Sequence, residues 1–149
     1  MEWKTAEEFA AALAAREAGQ AESAAGSLEH EFATAARVLD TDPAARTVTL
    51  QYHFLPSMGN AWGGGHGGAQ AMMLDHAMAA VIRNMLGHDL TPTVDLQLHY
   101  LRTARMEEPY HIRVKMERPG RSLVVMSAVS WGADPEKPCT IATGTYVLK

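Results

Sequence analysis

The stretch from Ala69 to Leu86 constrains the fold more than any other part of the chain. After Gln70 its only polar members are Asp75, His76, Arg83 and Asn84, and Gly87 supplies a stop. At about 1.5 Å per residue, roughly 20 helical residues make a rod of about 30 Å, the width of a small domain. A helix that is apolar on nearly all sides cannot lie on a surface, so it has to be wrapped. Its alanines at 69, 71, 77, 79 and 80 would let a sheet come close.

The flanking segments supply that sheet. Val48, Leu50, Tyr52 and Phe54 alternate with Thr47, Thr49, Gln51 and His53, the period of a half-buried strand. His30 to Leu39 is expected to pair with it through the turn Asp40-Thr41-Asp42-Pro43. Four more strands are expected after the helix: one at Val94 to Tyr100, one at His111 to Met116, one from Ser122 to Trp131 and one from Thr140 to Leu148. Connections this short favour antiparallel pairing, because parallel neighbours need a crossover of a dozen or more residues. The predicted class is α+β, a curved antiparallel sheet wrapped around a long central helix. An extra N-terminal helix starts at the capping box Thr5-Ala6-Glu7-Glu8, buries Phe9 and Leu13, and is expected to end at Gly19 as a docking arm, with Gln20 to Gly26 as loop or frayed continuation.

Length and charge narrow the function. The 149 residues suit one domain, 1–149, with a helical extension at 1–26 and a core at 30–148. A net charge of -4 argues against a nucleic-acid partner. No apolar run approaches the roughly 18 residues of a membrane span, and the N-terminal residues carry acidic side chains rather than a targeting pattern. Cys139 stands alone without a disulfide partner, an ordinary thiol fitting a reducing, cytoplasmic location. Seven histidines invite a metal site, yet His30, His53, His88, His99 and His111 are scattered and no metal-ligand spacing occurs, so none is expected.

Two features carry chemistry. Asp75 places a carboxylate in a helix built for burial, where an unpaired charge is expensive; it either faces solvent, pairs with Arg83 or a strand residue, or serves as a general base. The run Gly59-Asn60-Ala61-Trp62-Gly63-Gly64-Gly65-His66-Gly67-Gly68 leads into the same helix, whose N-terminal amides can hold an oxyanion where no side chain blocks approach. Alone, the run reads equally well as a tight turn, since it lacks the Lys-Ser/Thr pair of a phosphate loop. Trp62, Met72, Met73 and Met78 line a pocket or fill the core.

Asn60, then His66-Gly67-Gly68, then Asp75, then Thr93-Val94-Asp95-Leu96, Arg118-Pro119-Gly120-Arg121-Ser122 and Ala142-Thr143-Gly144-Thr145-Tyr146 form an ordered series. It resembles the signature of PaaI-type acyl-CoA thioesterases of the hotdog fold, over about residues 30 to 148. The resemblance implies Asp75 as general base or nucleophile, the Gly67 amide as oxyanion donor, and Asn60 and His66 polarising the carbonyl or placing water. Thr93 would position the water. Gly68 and the hairpin residues Arg118, Gly120, Arg121 and Ser122 would meet coenzyme A, which enters as part of the substrate and not as a cofactor. It also implies a homodimer, pairing further to a tetramer in some members, with Asp75 facing the glycine loop of the partner chain. The segment Ala104 to Pro109 departs from the family, which commonly has a glycine there, and the N-terminal helix is longer than the minimal fold needs. Two other readings stay open: a dehydratase or hydratase on acyl thioesters using His66 with Asp75, and a binding protein that keeps the fold without catalysis.

Overall fold

The computed structural model describes residues 3–24 and 26–149; Met1, Glu2 and Ala25, which belong to the expected N-terminal extension, lie outside the described residues. The elements run α1 (Ala6–Ala24), α2 (Leu28–Thr34), β1 (Arg37–Asp42), β2 (Thr47–Tyr52), a 3-10 turn (Pro56–Met58), α3 (Gly67–Leu86), β3 (Thr93–Tyr100), β4 (Tyr110–Pro119), β5 (Leu123–Trp131) and β6 (Pro138–Val147). The strands form one sheet in the order β1-β2-β4-β5-β6-β3, every neighbour antiparallel. Its concave side wraps α3, while α1 and α2 close the other flank of that helix. This is the hotdog architecture with an N-terminal helical addition.

Local chemistry explains the elements. The box at the start of α1 is formed in both directions, Thr5 N–H donating to Glu8 Oε2 at 2.8 Å and Glu8 N–H to Thr5 Oγ1 at 3.2 Å. Phe9 and Leu13 are buried, as a docking face requires. The helix does not stop at Gly19. That glycine keeps a negative φ inside an alanine-rich run of high helix propensity, and the left-handed conformation falls instead on Gly26, at φ 80°.

A second correction concerns the first strand, which begins only at Arg37. Residues expected at its start form α2, because Ser27 caps it by accepting from His30 N–H at 3.1 Å and Glu29 and Glu31 favour its first turn. The helix exists to bury Phe32 against Tyr52 and His76.

In β2 the expected alternation holds, with Val48, Leu50 and Tyr52 fully buried. Met73 and Met78 are core, Met72 is half-buried, and Trp62 is exposed at the tip of its loop. β3, like β1, is a sheet edge with no fully buried residue, and it is the edge that lies beside Asp75. Alongside it, α3 leaves a stripe incompletely covered that includes Gly68, Ala71, Met72, Asp75 and Arg83. The central helix is therefore wrapped on most sides, not all.

Candidate active site

The glycine loop is tied down by Asn60. Its Oδ1 accepts from the backbone amides of Trp62 at 2.9 Å and Gly64 at 3.0 Å, and its own N–H donates to Gly64 O at 2.8 Å. An asparagine folding the chain back onto itself is an Asx-type turn. Close packing also asks for glycine here, since a Cβ on Gly65 would lie 2.5 Å from the Phe54 ring. From below, Gln70 braces the loop. Its Nε2 donates to Gly65 O at 3.1 Å while its Oε1 accepts from Tyr110 at 3.0 Å and Thr140 at 2.7 Å. Burial pushes the Tyr110 hydroxyl well above the ordinary tyrosine range, so it remains a donor.

His66 is the N-cap of α3, its Nδ1 accepting from Gly68 N–H at 3.0 Å. The Gly67 N–H has no hydrogen-bond partner among the described residues, as expected for an amide in the first turn of a helix. Beside it lies a cleft of about 400 Å³ lined by Asn60, Gly65, Gly67, Gln70, Tyr100 and Thr103, among others. Tyr100 donates to Gly67 O at 2.7 Å and stands over the glycine. A donor at the positive end of a helix, opening on a cleft, can stabilise an oxygen that gains negative charge.

Asp75 lies two turns further along α3, half-buried. Thr93 Oγ1 and Tyr146 Oη each donate to its Oδ1 at 2.9 Å. Asp75 thus pairs with strand hydroxyls and not with Arg83, and its Oδ2 has no partner among the described residues. Sequence reasoning assigned no role to Gln70, Tyr100, Tyr110 or Thr140, and Tyr146 entered only as the end of a strand motif. Gln70 carried a usable signal as the first polar residue in a buried run, whereas a tyrosine in a terminal strand reads as core.

Asp75 and Gly67 do not meet within one chain. Eight residues apart on one helix, they are separated by about 12 Å along its axis. The hairpin at 118–122 is distant from the glycine loop too. It sits at the end of the sheet where β6 finishes and β3 begins, the full length of β4 from Tyr110, or about 30 Å. Arg118, Arg121 and Ser122 are exposed, and Gly120 N–H donates to Leu123 O at 2.9 Å in a turn with no room for a Cβ. A larger cavity of about 600 Å³ lies between α1, α2 and β1, lined by Leu13, Glu17, His30 and Val38, and touches none of these residues. Among the described residues, no His, Cys, Asp and Glu side chains cluster as a metal site would require, and no helix is long and apolar enough to cross a membrane.

The architecture recurs in solved structures. The zebrafish thioesterase superfamily member 2 superimposes with a TM-score of 0.74 at 20% identity, over 92% of this chain and 98% of its own. A hypothetical thioesterase from Streptococcus pneumoniae TIGR4, solved with coenzyme A, gives 0.66 at 21% identity over 76% and 85%. The phenylacetic acid degradation-related protein of Ralstonia eutropha JMP134 gives 0.68 at 23% identity over 76% and 85%. No curated protein matches the chain in sequence. The fold is that of hotdog thioesterases. The sequence profile of the thioesterase superfamily matches residues 63–139, more than half of the chain, and the protein belongs to that superfamily.

Proposed function

We propose that the protein is an acyl-CoA thioesterase of the PaaI type, cleaving a small or medium acyl- or aryl-CoA to the free acid and coenzyme A in a site shared by two copies of the chain. The observation that carries this reading is the separation of Asp75 from Gly67. A thioester carbon must lie about 3 Å from the attacking group while its oxygen meets the oxyanion donor. About 12 Å along one helix is too far, so the amide facing Asp75 belongs to a second copy. The surface that would bring it is the outer edge of β3, which pairs with no strand among the described residues and lies beside Asp75, with Val94 60% and Tyr100 51% exposed.

In this site the Gly67 amide receives the carbonyl oxygen as it becomes an oxyanion. Asp75 takes a proton from water as it attacks, or attacks directly and is released by water in a second step. The C–S bond breaks, the sulfur leaves as the thiolate of coenzyme A and takes up a proton, and the acyl group departs as carboxylic acid. Thr93 holds Asp75, while Asn60 and His66 shape and cap the loop that presents the amide. Gly68, Arg118, Gly120, Arg121 and Ser122 would meet the phosphates of the carrier. Two variants of the pneumococcal protein have an aspartate or a threonine replaced by alanine, the residue types paired here at 2.9 Å.

The test is release of free thiol from a panel of aryl-, short- and medium-chain acyl-CoAs. Turnover is expected with at least one of them, and its loss by about 10³-fold or more in Asp75→Asn. Binding of acyl-CoA with no thiol released by the wild-type protein, or hydration of enoyl thioesters in its place, overturns the reading.

A further inference from the structure

Tyr146 is fully buried near the end of β6, where a hydroxyl must find a partner. It donates to Asp75 Oδ1 at 2.9 Å, the same oxygen that accepts from Thr93 at 2.9 Å. Two donors from two strands converge on one atom and leave Oδ2 unpaired among the described residues. The ring has little room to turn away. A Cβ on Gly144 would lie 2.9 Å from its Cε2 and 3.1 Å from its hydroxyl, so the glycine clears the place the ring occupies.

We infer that Tyr146 is a positioning residue for Asp75: with Thr93 it pins Oδ1, so that Oδ2 is the oxygen that takes the proton from water or attacks the thioester carbon. The inference rests on Asp75 being the reactive carboxylate of the proposed function. A carboxylate is nearly free to rotate about its last bond, and two donors on one oxygen remove that freedom before substrate arrives. Burial, and then the facing Asp75, push the Tyr146 hydroxyl far above the ordinary tyrosine range, so it stays a donor at neutral pH. Arg83, on α3, is the other charged group acting on Tyr146; Thr93, which faces Asp75 from β3, carries no charge.

The experiment is steady-state thiol release by Tyr146→Phe, which keeps the ring and removes the donor. The expected result is a fall in kcat of about 10- to 100-fold with KM within about threefold. A ring that merely fills the core would leave kcat per folded molecule at the wild-type level. Gly144→Ala, which keeps the hydroxyl and displaces the ring, serves as a second variant with the same expected direction. Wild-type kcat in either folded variant, with Asp75→Asn inactive, overturns the role of Tyr146 alone. Full turnover in Asp75→Asn overturns the assignment of Asp75, and this inference with it.

Discussion

Asp75 and His76 are neighbours in sequence, about 100° apart around α3, and they stand in opposite settings. His76 is 3% exposed. Its Nε2 lies 3.5 Å from the Glu17 carboxylate of α1 and its Nδ1 is 3.1 Å from the Tyr52 hydroxyl, with the Phe32 and Tyr52 rings edge-on around it. The facing His76 ring holds the Glu17 carboxyl below the usual glutamate range, helped by the charges of Arg83 and His30 and opposed by burial. That side of α3 meets its polar neighbours, Glu17 and Tyr52, inside one chain and serves to fasten the N-terminal helix. The Asp75 side leaves a carboxylate oxygen unanswered, and the outer edge of β3 unpaired beside it, among the described residues. Enclosed chemistry on one face and unfinished chemistry on the next mark which residue holds the fold and which one acts.

Exchanging the two losses breaks this contrast if it is wrong. Asp75→Asn is expected to remove at least about 4 kcal/mol of barrier lowering, while chemical denaturation at fixed protein concentration shifts by less than about 1 kcal/mol. His76→Ala is expected to do the reverse. It strands the Glu17 carboxylate and the Tyr52 hydroxyl in the interior at a cost of about 3 kcal/mol, with turnover per folded molecule within a few fold. An inactive but fully stable His76→Ala protein would reverse the assignment.

Smaller effects sharpen the same picture. A carboxyl with a depressed folded pKa is ionised more readily in the native state, so the stability it adds is complete above the unfolded value, near 4.5, and fades as pH falls through the folded one. The stability gap between wild type and Glu17→Gln is therefore expected to be full at pH 6–7 and to narrow below about pH 4.5, as read by denaturation across that range. Ser27→Ala, which removes the cap of α2, is expected to cost about 1 kcal/mol in the same measurement.

The two faces were unequally legible in the sequence. Asp75 stood out because charge is rare in a run of apolar helix, and the alternation of strands around it was enough for the wrapped-helix class. Glu17 gave no such signal: one acidic residue in an alanine-rich helix looks solvated, and its partners at 30, 76 and 83 meet it only in the folded chain. The short helix α2 escaped because seven residues with two large apolar side chains, Leu28 and Phe32, are too few to establish a helical period. The distance between Asp75 and Gly67 follows from helix geometry, yet the hydroxyl of Tyr146, seventy-one residues away, required the sheet.

The central claim, a site made by two chains, is tested most directly by mixing two dead variants. Gly67→Pro removes the proposed oxyanion donor at the first helical position, where proline is accommodated, and His66 already has the extended backbone that a following proline needs. Asp75→Asn removes the carboxylate. After unfolding and refolding together in equal amounts, half of the dimers are mixed, and each carries one site with an intact carboxylate facing an intact amide. The account predicts recovery to about one quarter of wild-type specific activity from two proteins that are inactive apart. A mixture that assembles yet remains inactive would contradict it.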